Sequence, residues 1–446
     1  MSVEVSIDAE ADINGAPAVS VHRAGWWAGK GTWAILDQGL FATSNFILTI
    51  LLARWLPPEQ FGSFAVAHAA FLLAGTLHAG ILIEPMLVFG SARHARRFGG
   101  YLNVLLYGHW RLAACGSLLL AMVALVLWSL ALGSLAVAFL GAAVATPFVL
   151  FGWLVRRASF ARLQPRWAAG GGAFYLLIVL TGSFFLHHFE LLSTFMAFLL
   201  MGGAGLLSGR WILRRLRAAS LERVEDGPSR DDVIRDHWRY GRWSIASSGL
   251  SWIPGNLYYV LLPVFAGLEA AAALKALSNL VLPVLHFNGA LATLLLPVLA
   301  AAARERSRFN GLVVAGLTAF VTGSLTYGAL LTAYRAPIVE WVYQGAYSDA
   351  VSLVPVLSLL PLAAAGIAVL GSALRALERP QLVFWSYVGS AAITVTVGVG
   401  LTAHWGASGA AGGLLLSSAV TAIACGVLFL AAQGRISSGA LARSTS

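Results

Sequence analysis

GTWAILDQGLFATSNFILTILLARWLPPEQFG, residues 31–62, is long and apolar enough to cross a membrane yet keeps polar side chains inside it. Asp37, Gln38, Ser44 and Asn45 fall within the apolar run, and Arg54, Trp55 and the Pro57–Pro58 pair close it as a membrane boundary would. A shift of the chain by 210 residues brings up a second copy. Gly31, Trp33, Ile35, Gly39, Leu40, Leu51, Leu52 and Glu59 fall on Gly241, Trp243, Ile245, Gly249, Leu250, Leu261, Leu262 and Glu269. The copy lacks the charges of the original: Asp37 meets Ser247 and Arg54 meets Val264.

The composition agrees with a membrane. Of 446 residues, 59% are hydrophobic and only 11% charged, and the mean hydropathy is +0.79. That excludes a soluble protein of this size. The formal net charge of +10 is not a nucleic-acid footprint, because 25 of the 29 Lys and Arg residues fall in the tails and in alternate loops. This is the positive-inside pattern, and it predicts that both termini and the central linker are cytoplasmic. Arg54, Arg111, Lys275 and Arg335 are the exceptions. Cys115 and Cys425 lie inside apolar runs, so no disulfide framework is implied. The first residues lack the apolar core of a signal peptide and read as a cytoplasmic disordered tail.

Apolar length and flanking charge predict about 12 transmembrane helices. The first six cover about 33–55, 62–89, 101–130, 134–156, 167–187 and 190–213, and the second six about 241–265, 269–302, 310–333, 349–374, 381–403 and 407–432. The expected organisation is a tail over 1–30, a six-helix lobe over 31–213, a charged linker over 214–240, a second six-helix lobe over 241–433 and a tail over 434–446. The fold class is thus an all-α polytopic membrane protein of two pseudo-symmetric six-helix bundles. Equal numbers of helices starting from the same side make a parallel repeat, with a cavity between the bundles. The outer loop around 334–349 is expected to be the longest.

Polar residues at helical spacing are the candidates for function. Lys275, Asn279, His286 and Thr293 share one stripe of the eighth span; Asn103, Tyr107 and Arg111 share one in the third; Ser244, Ser251 and Tyr258 share one in the seventh. An ionised group facing lipid costs at least ~2.5 kcal/mol, so Lys275 and Arg111 are expected to look into the protein or water. Asp37 is the deepest acid of the first span. Two roles stay open for it: neutralising an arginine in the cavity, or titrating in ion coupling. Glu84 is expected near the inner surface with little role. His68, His78, His109 and His286 titrate near neutral pH in water, and each alone reads as a satisfied hydrogen bond. His187 and His188 read as a polar turn, and no metal site, nucleotide motif or catalytic signature is present.

DQG at 37–39, SNF at 44–46, LLARWLPPEQFG at 51–62, RRASFARLQPR at 156–166, VYQGAYSDAV at 342–351 and ALRALERPQL at 373–382 together resemble the polysaccharide transporter family, the lipid-linked oligosaccharide flippases of the superfamily that includes the multidrug and toxic-compound extruders (MATE). The resemblance implies a MATE-like twelve-helix fold and flipping of an undecaprenyl-pyrophosphate-linked oligosaccharide by alternating access. It implies cationic cavity residues, matched in position by Arg111 and Lys275, and an ion-coupling acid, matched by Asp37. The candidate substrate-binding set is Arg111, Lys275, Asn279, His286, Arg54, Asn45, Asn256 and Tyr258, with no catalytic residue and no cofactor.

The expected setting is the inner membrane of a bacterium, in lipopolysaccharide or exopolysaccharide biosynthesis. Expected partners are the lipid-linked oligosaccharide and membrane lipid, with a polysaccharide polymerase and glycosyltransferases as further candidates, and no nucleic acid. Two other functions compete: a MATE-type cation or drug antiporter, which would favour acids in the cavity, and a membrane glycan polymerase or ligase, which would need a large outer loop.

Overall fold

The computed structural model describes residues 21–218, 228–303 and 305–444, and side chains within these between residues 31 and 433. Residues 1–20 of the tail expected over 1–30, the middle of the linker at 219–227 and the side chains of the tail from 434 lie outside the described residues, while residues 21–30 of that tail are helical rather than disordered. Helix α1 runs Val21–Trp55 and α2 Pro58–His78; a π-helical turn, Ala79–Ile83, joins α2 to α3, Glu84–Phe89. Helices α4 (Phe98–Ser129), α5 (Gly133–Ala161), α6 (Pro165–His188) and α7 (Thr194–Ala218) complete the first half. The second half comprises α8 (Arg230–Asn279), α9 (Leu282–Ala302), α10 (Arg306–Ala333), α11 (Arg335–Tyr343), α12 (Val354–Leu357), α13 (Leu360–Ala376), α14 (Pro380–Ile393) and α15 (Val399–Ser444). There is no strand among the described residues.

Eleven of these helical segments are long and apolar enough to cross a membrane. Two of them bend sharply: α8 at Gly267 (φ 84°, ψ 170°) and α15 at Gly406 (φ 53°, ψ −127°), backbone states that only glycine holds without strain. Each bend separates two passages. The expected eighth passage is also not one helix. Leu280 and Val281 make short three-residue turns back to Leu277 and Ser278, and Pro283 has no N–H to continue the ladder, so α8 ends and α9 begins inside the passage. Two boundaries of the linker move as well: α7 continues to Ala218 and α8 already starts at Arg230. The expected long outer loop contains α11.

Proline placement explains the turns. Pro58, Pro165 and Pro380 each occupy the first turn of a helix, where a missing N–H costs nothing. Leu163 and Glu378 take positive φ (56° and 59°) two residues before Pro165 and Pro380. In both turns the next amide closes back five residues, Gln164 to the Ser159 carbonyl at 2.8 Å and Arg379 to Leu374 at 2.9 Å. Within the first half, α5 and α7 meet backbone to backbone. A Cβ on Gly152 would lie 2.9 Å from the Gly205 carbonyl oxygen, and one on Gly205 2.8 Å from that of Phe148. Small residues at such contacts are how helices associate without a hydrophobic drive in lipid.

The halves join along two seams. We call the end carrying Arg93, Arg162, Arg166, Arg375 and Arg379 the basic end. One seam packs α2 and α3 against α8 over their full length. Gly62 lies on the Leu268 backbone at the opposite end, and a Cβ on Gly241 would come 3.0 Å from the Gly80 carbonyl near the basic end. The other seam sets α1 beside α8 and α9.

Candidate functional site

The α1 seam is closed in one half and open in the other. Asn279 Nδ2 donates to the Phe46 carbonyl at 3.2 Å, and the Arg54 guanidinium reaches the Trp341 carbonyl at 3.4 Å, so the half away from the basic end is bridged. Towards the basic end, α1 and α9 part around a cleft of about 320 Å³ lined mostly by apolar side chains, with Gln38, Thr43 and His286 on its walls.

Lys275 lies just behind that closure. The bend at Gly267 folds the end of α8 back so that Lys275 Nζ sits 5.3 Å from the centre of the Tyr259 ring on the preceding arm. Its charge acts on His68, which reaches in from α2 of the other half. His68 Nδ1, and the hydroxyl of Tyr347 in the turn after α11, are buried without a hydrogen-bond partner. Phe61 on α2 packs on Tyr347 at 6.4 Å, and Tyr343 packs on it at 5.4 Å. No carboxylate among the described residues pairs with Lys275. A half-buried ammonium and two buried polar atoms without a hydrogen-bond partner thus lie where the two halves meet.

Asp37 is paired with an arginine that the charge pattern had put in a loop. Arg156, one turn inside the end of α5, donates from Nε to Asp37 Oδ1 at 2.8 Å and from a terminal nitrogen to Oδ2 at 2.7 Å. Asp37 is 0% and Arg156 7% exposed. The guanidinium also stacks 4.3 Å above the Phe41 ring. The fork uses both carboxylate oxygens, and Gly172 on α6 lies close enough that a Cβ there would stand 3.6 Å from Oδ1.

The other candidates separate. Asn45 and Asn256 bond the carbonyls of Phe41 and Trp252 one turn back in their own helices, at 3.0 and 3.2 Å. Tyr258 is buried inside the second half, where its hydroxyl lies 3.0 Å from Ser417 Oγ and its ring fills the space above Gly398 and Gly413. It packs the lobe and does not line the seam. Arg111 is exposed on the outer face of α4, 4.2 Å over Tyr107, away from the seam. Its guanidinium therefore does not face the space between the two halves. Of the eight substrate candidates, Asn279, His286 and Arg54 line the α1 seam, and Lys275 lies behind it, beside Tyr259.

Several contacts of these and neighbouring residues were not visible in the sequence. Glu84 hydrogen-bonds Ser244 across the halves and lines a groove of about 630 Å³ at the basic end with Arg93, Asp236 and Arg239, so it does more than sit near a surface. Arg93 pairs with Asp236 at 3.1 Å, and His237 bridges the Tyr101 hydroxyl (2.6 Å) and the Ile81 carbonyl (2.9 Å). Trp252 donates to the Ala69 carbonyl at 3.1 Å across the seam. His78 and His109 form a buried pair at 2.9 Å within the first half. His187 stacks on Trp55, ring centres 4.2 Å apart. No group of three metal-ligating side chains occurs among the described residues.

This architecture is shared with known transporters. An inward-facing multidrug resistance MATE family transporter of the MOP superfamily superposes with a TM-score of 0.74, covering 93% of this chain and all of the other at 15% identity. The fold is MATE-like. The lipid II flippase MurJ in an inward closed conformation matches at a TM-score of 0.68 and 10% identity, over 88% of this chain and 86% of its own. A MOP superfamily transporter from Pyrococcus furiosus, described as having a binding pocket of reverse polarity, matches at 0.63 and 15% identity over 91% and 94%. No family model matches the sequence, and no curated protein does. The chain is a multi-pass membrane protein with the fold of this superfamily's transporters and flippases, and its structural neighbours are transporters and flippases rather than enzymes.

Proposed function

We propose that the protein flips a lipid-linked oligosaccharide, its lipid carrying a pyrophosphate, from the cytoplasmic to the outer leaflet of a bacterial inner membrane by alternating access. Lys275 carries this reading. A carrier of organic cations needs acids facing its cavity, whereas the acid of the first span is consumed by Arg156 and the ammonium behind the seam has no carboxylate partner. A pyrophosphate accepts from an ammonium and from neighbouring donors such as Asn279. The apolar cleft between α1 and α9 suits a lipid tail that stays in the bilayer while the head moves between the lobes. MurJ, a lipid II flippase, shows that the fold handles a lipid-linked substrate, and the reverse-polarity neighbour shows that its binding pocket varies in charge.

In this reading the basic end is cytoplasmic, both termini lie there, residues 31–213 and 241–433 are the rocking lobes, and the cleft faces inward. Polysaccharide polymerase and glycosyltransferases are the natural partners, since the substrate must be made on one side and used on the other. Replacing Lys275 with Ala in the host should abolish surface polysaccharide while the protein stays in the membrane, and Lys275→Arg should retain part of the export. Normal export by Lys275→Ala would rule out this role. Efflux of cationic dyes that survives Lys275→Ala would favour the antiporter instead.

A further inference from the structure

Arg111 raises a separate question, because it stands exposed on a face of α4 that is otherwise made for hydrocarbon: Leu118, Leu119 and Met122 are all more than half or about half exposed further along it. Its depth resolves the conflict. Trp128, exposed at the far end of α4, marks one membrane boundary. A hydrocarbon core of about 30 Å at 1.5 Å per residue spans about 20 residues, which puts the other boundary near residue 108. Tyr107, Trp110 and Arg111 sit at that level, with both aromatic rings exposed as in an interfacial belt.

Two further cations converge there from other helices. Arg230, the first residue of α8, places its guanidinium 4.8 Å from the centre of the same Tyr107 ring that Arg111 covers at 4.2 Å. Both guanidinium groups thus share the Tyr107 ring, their carbons no more than about 9 Å apart. Arg217 at the end of α7 donates to Asn103 Oδ1 at 3.3 Å, one turn further towards the basic end. Among the described residues no carboxylate pairs with any of the three, and Asp232 is occupied by Arg235. Like charges held together at headgroup depth on a lipid-facing surface are complementary to an anion that the bilayer itself supplies.

We propose that Arg111, Arg230 and Tyr107 bind the phosphate of an acidic phospholipid in the leaflet at the basic end, with its acyl chains along Leu118, Leu119 and Met122. The site is separate from the seam at Lys275 and does not depend on which substrate passes there. Because Arg230 begins α8 and Arg111 belongs to the first half, the bound lipid ties the two halves together at the membrane surface.

The test uses the full-length protein in nanodiscs of mixed phosphatidylglycerol and phosphatidylcholine, released into detergent and weighed by native mass spectrometry. The wild type should retain phosphatidylglycerol over phosphatidylcholine. Arg111→Gln and Arg230→Gln should each lower that retention about fivefold and the double variant more, while Arg379→Gln, at a basic loop of the other half, should leave it unchanged. Excess inorganic phosphate should not displace the lipid. Equal retention by wild type and double variant, or displacement by inorganic phosphate, would overturn the assignment. If the double variant does not fold, a photoactivatable phosphatidylglycerol added to wild-type protein decides the matter: labelling should fall within residues 103–122, and labelling confined elsewhere would overturn it.

Discussion

Asp37 and Arg156 form a buried pair whose value lies in being complete. Removing one partner leaves the other charge unpaired at full burial, a change that costs about 3–5 kcal/mol, whereas replacing both with apolar groups of similar size is often neutral. Asp37→Asn should therefore lower the melting temperature of the detergent-purified protein sharply, and the double replacement Asp37→Leu with Arg156→Met should recover most of the loss. A double variant no better than the single one would show that the pair is not the reason. Any ion coupling through Asp37 would have to open this fork, so the pH dependence of transport in the double variant separates a coupling acid from a structural one. The acid was legible in the sequence as the deepest of the first span. Its partner was not, because Arg156 stands beside Arg157 in a basic run that the charge rule reads as loop, and only the helical continuation of α5 to Ala161 brings it inside. Lys275 was legible by its stripe with Asn279 and His286. His68 and Tyr347 gave no such signal, since they come from distant segments and meet only in the fold.

Helix packing sets a second group of expectations. A side chain on Gly205 cannot be accommodated without moving α5 from α7, so Gly205→Leu should destabilise the first half by about 1–3 kcal/mol, read from denaturation in detergent. Gly267→Val should cost about 1–3 kcal/mol for another reason, the glycine-only backbone at the bend of α8. That bend aims Lys275 at Tyr259, so transport should fall further than stability accounts for; unchanged transport in a folded Gly267→Val protein would mean the bend does not place the ammonium. The long helices were readable because apolar length and flanking charge suffice. The break at Leu280 was not, as the residues around it are ordinary helix formers and only Pro283 hints at it. The continuation of α8 back to Arg230 was equally hidden, because charges such as Asp236 and Arg239 look like linker until Arg93 and the groove beside Glu84 are seen to meet them.

Taken as two halves, the molecule repeats its turns as well as its helices, with Leu163–Pro165 and Glu378–Pro380 ending corresponding hairpins through the same backbone closure. The inward-facing charges do not repeat: Asp37 and Arg156 belong to the first half and Lys275 to the second, so the charge distribution is asymmetric even where the backbone is not. Under the alternating-access proposal, the bridge from Asn279 to Phe46 and the cleft beyond it require α1 and α9 to approach when the protein opens to the other side. A disulfide between Gln38→Cys and His286→Cys, on facing walls of the cleft, should block transport reversibly, and reduction should restore it. The most direct measurement follows a fluorescent polyprenyl-pyrophosphate-linked saccharide in proteoliposomes, scored by its accessibility to a membrane-impermeant quencher. Wild-type protein should move the saccharide across the bilayer, with Lys275→Ala slower by about tenfold or more and Lys275→Arg intermediate. Equal translocation by wild type and Lys275→Ala, or none by wild type above empty liposomes, would contradict the account.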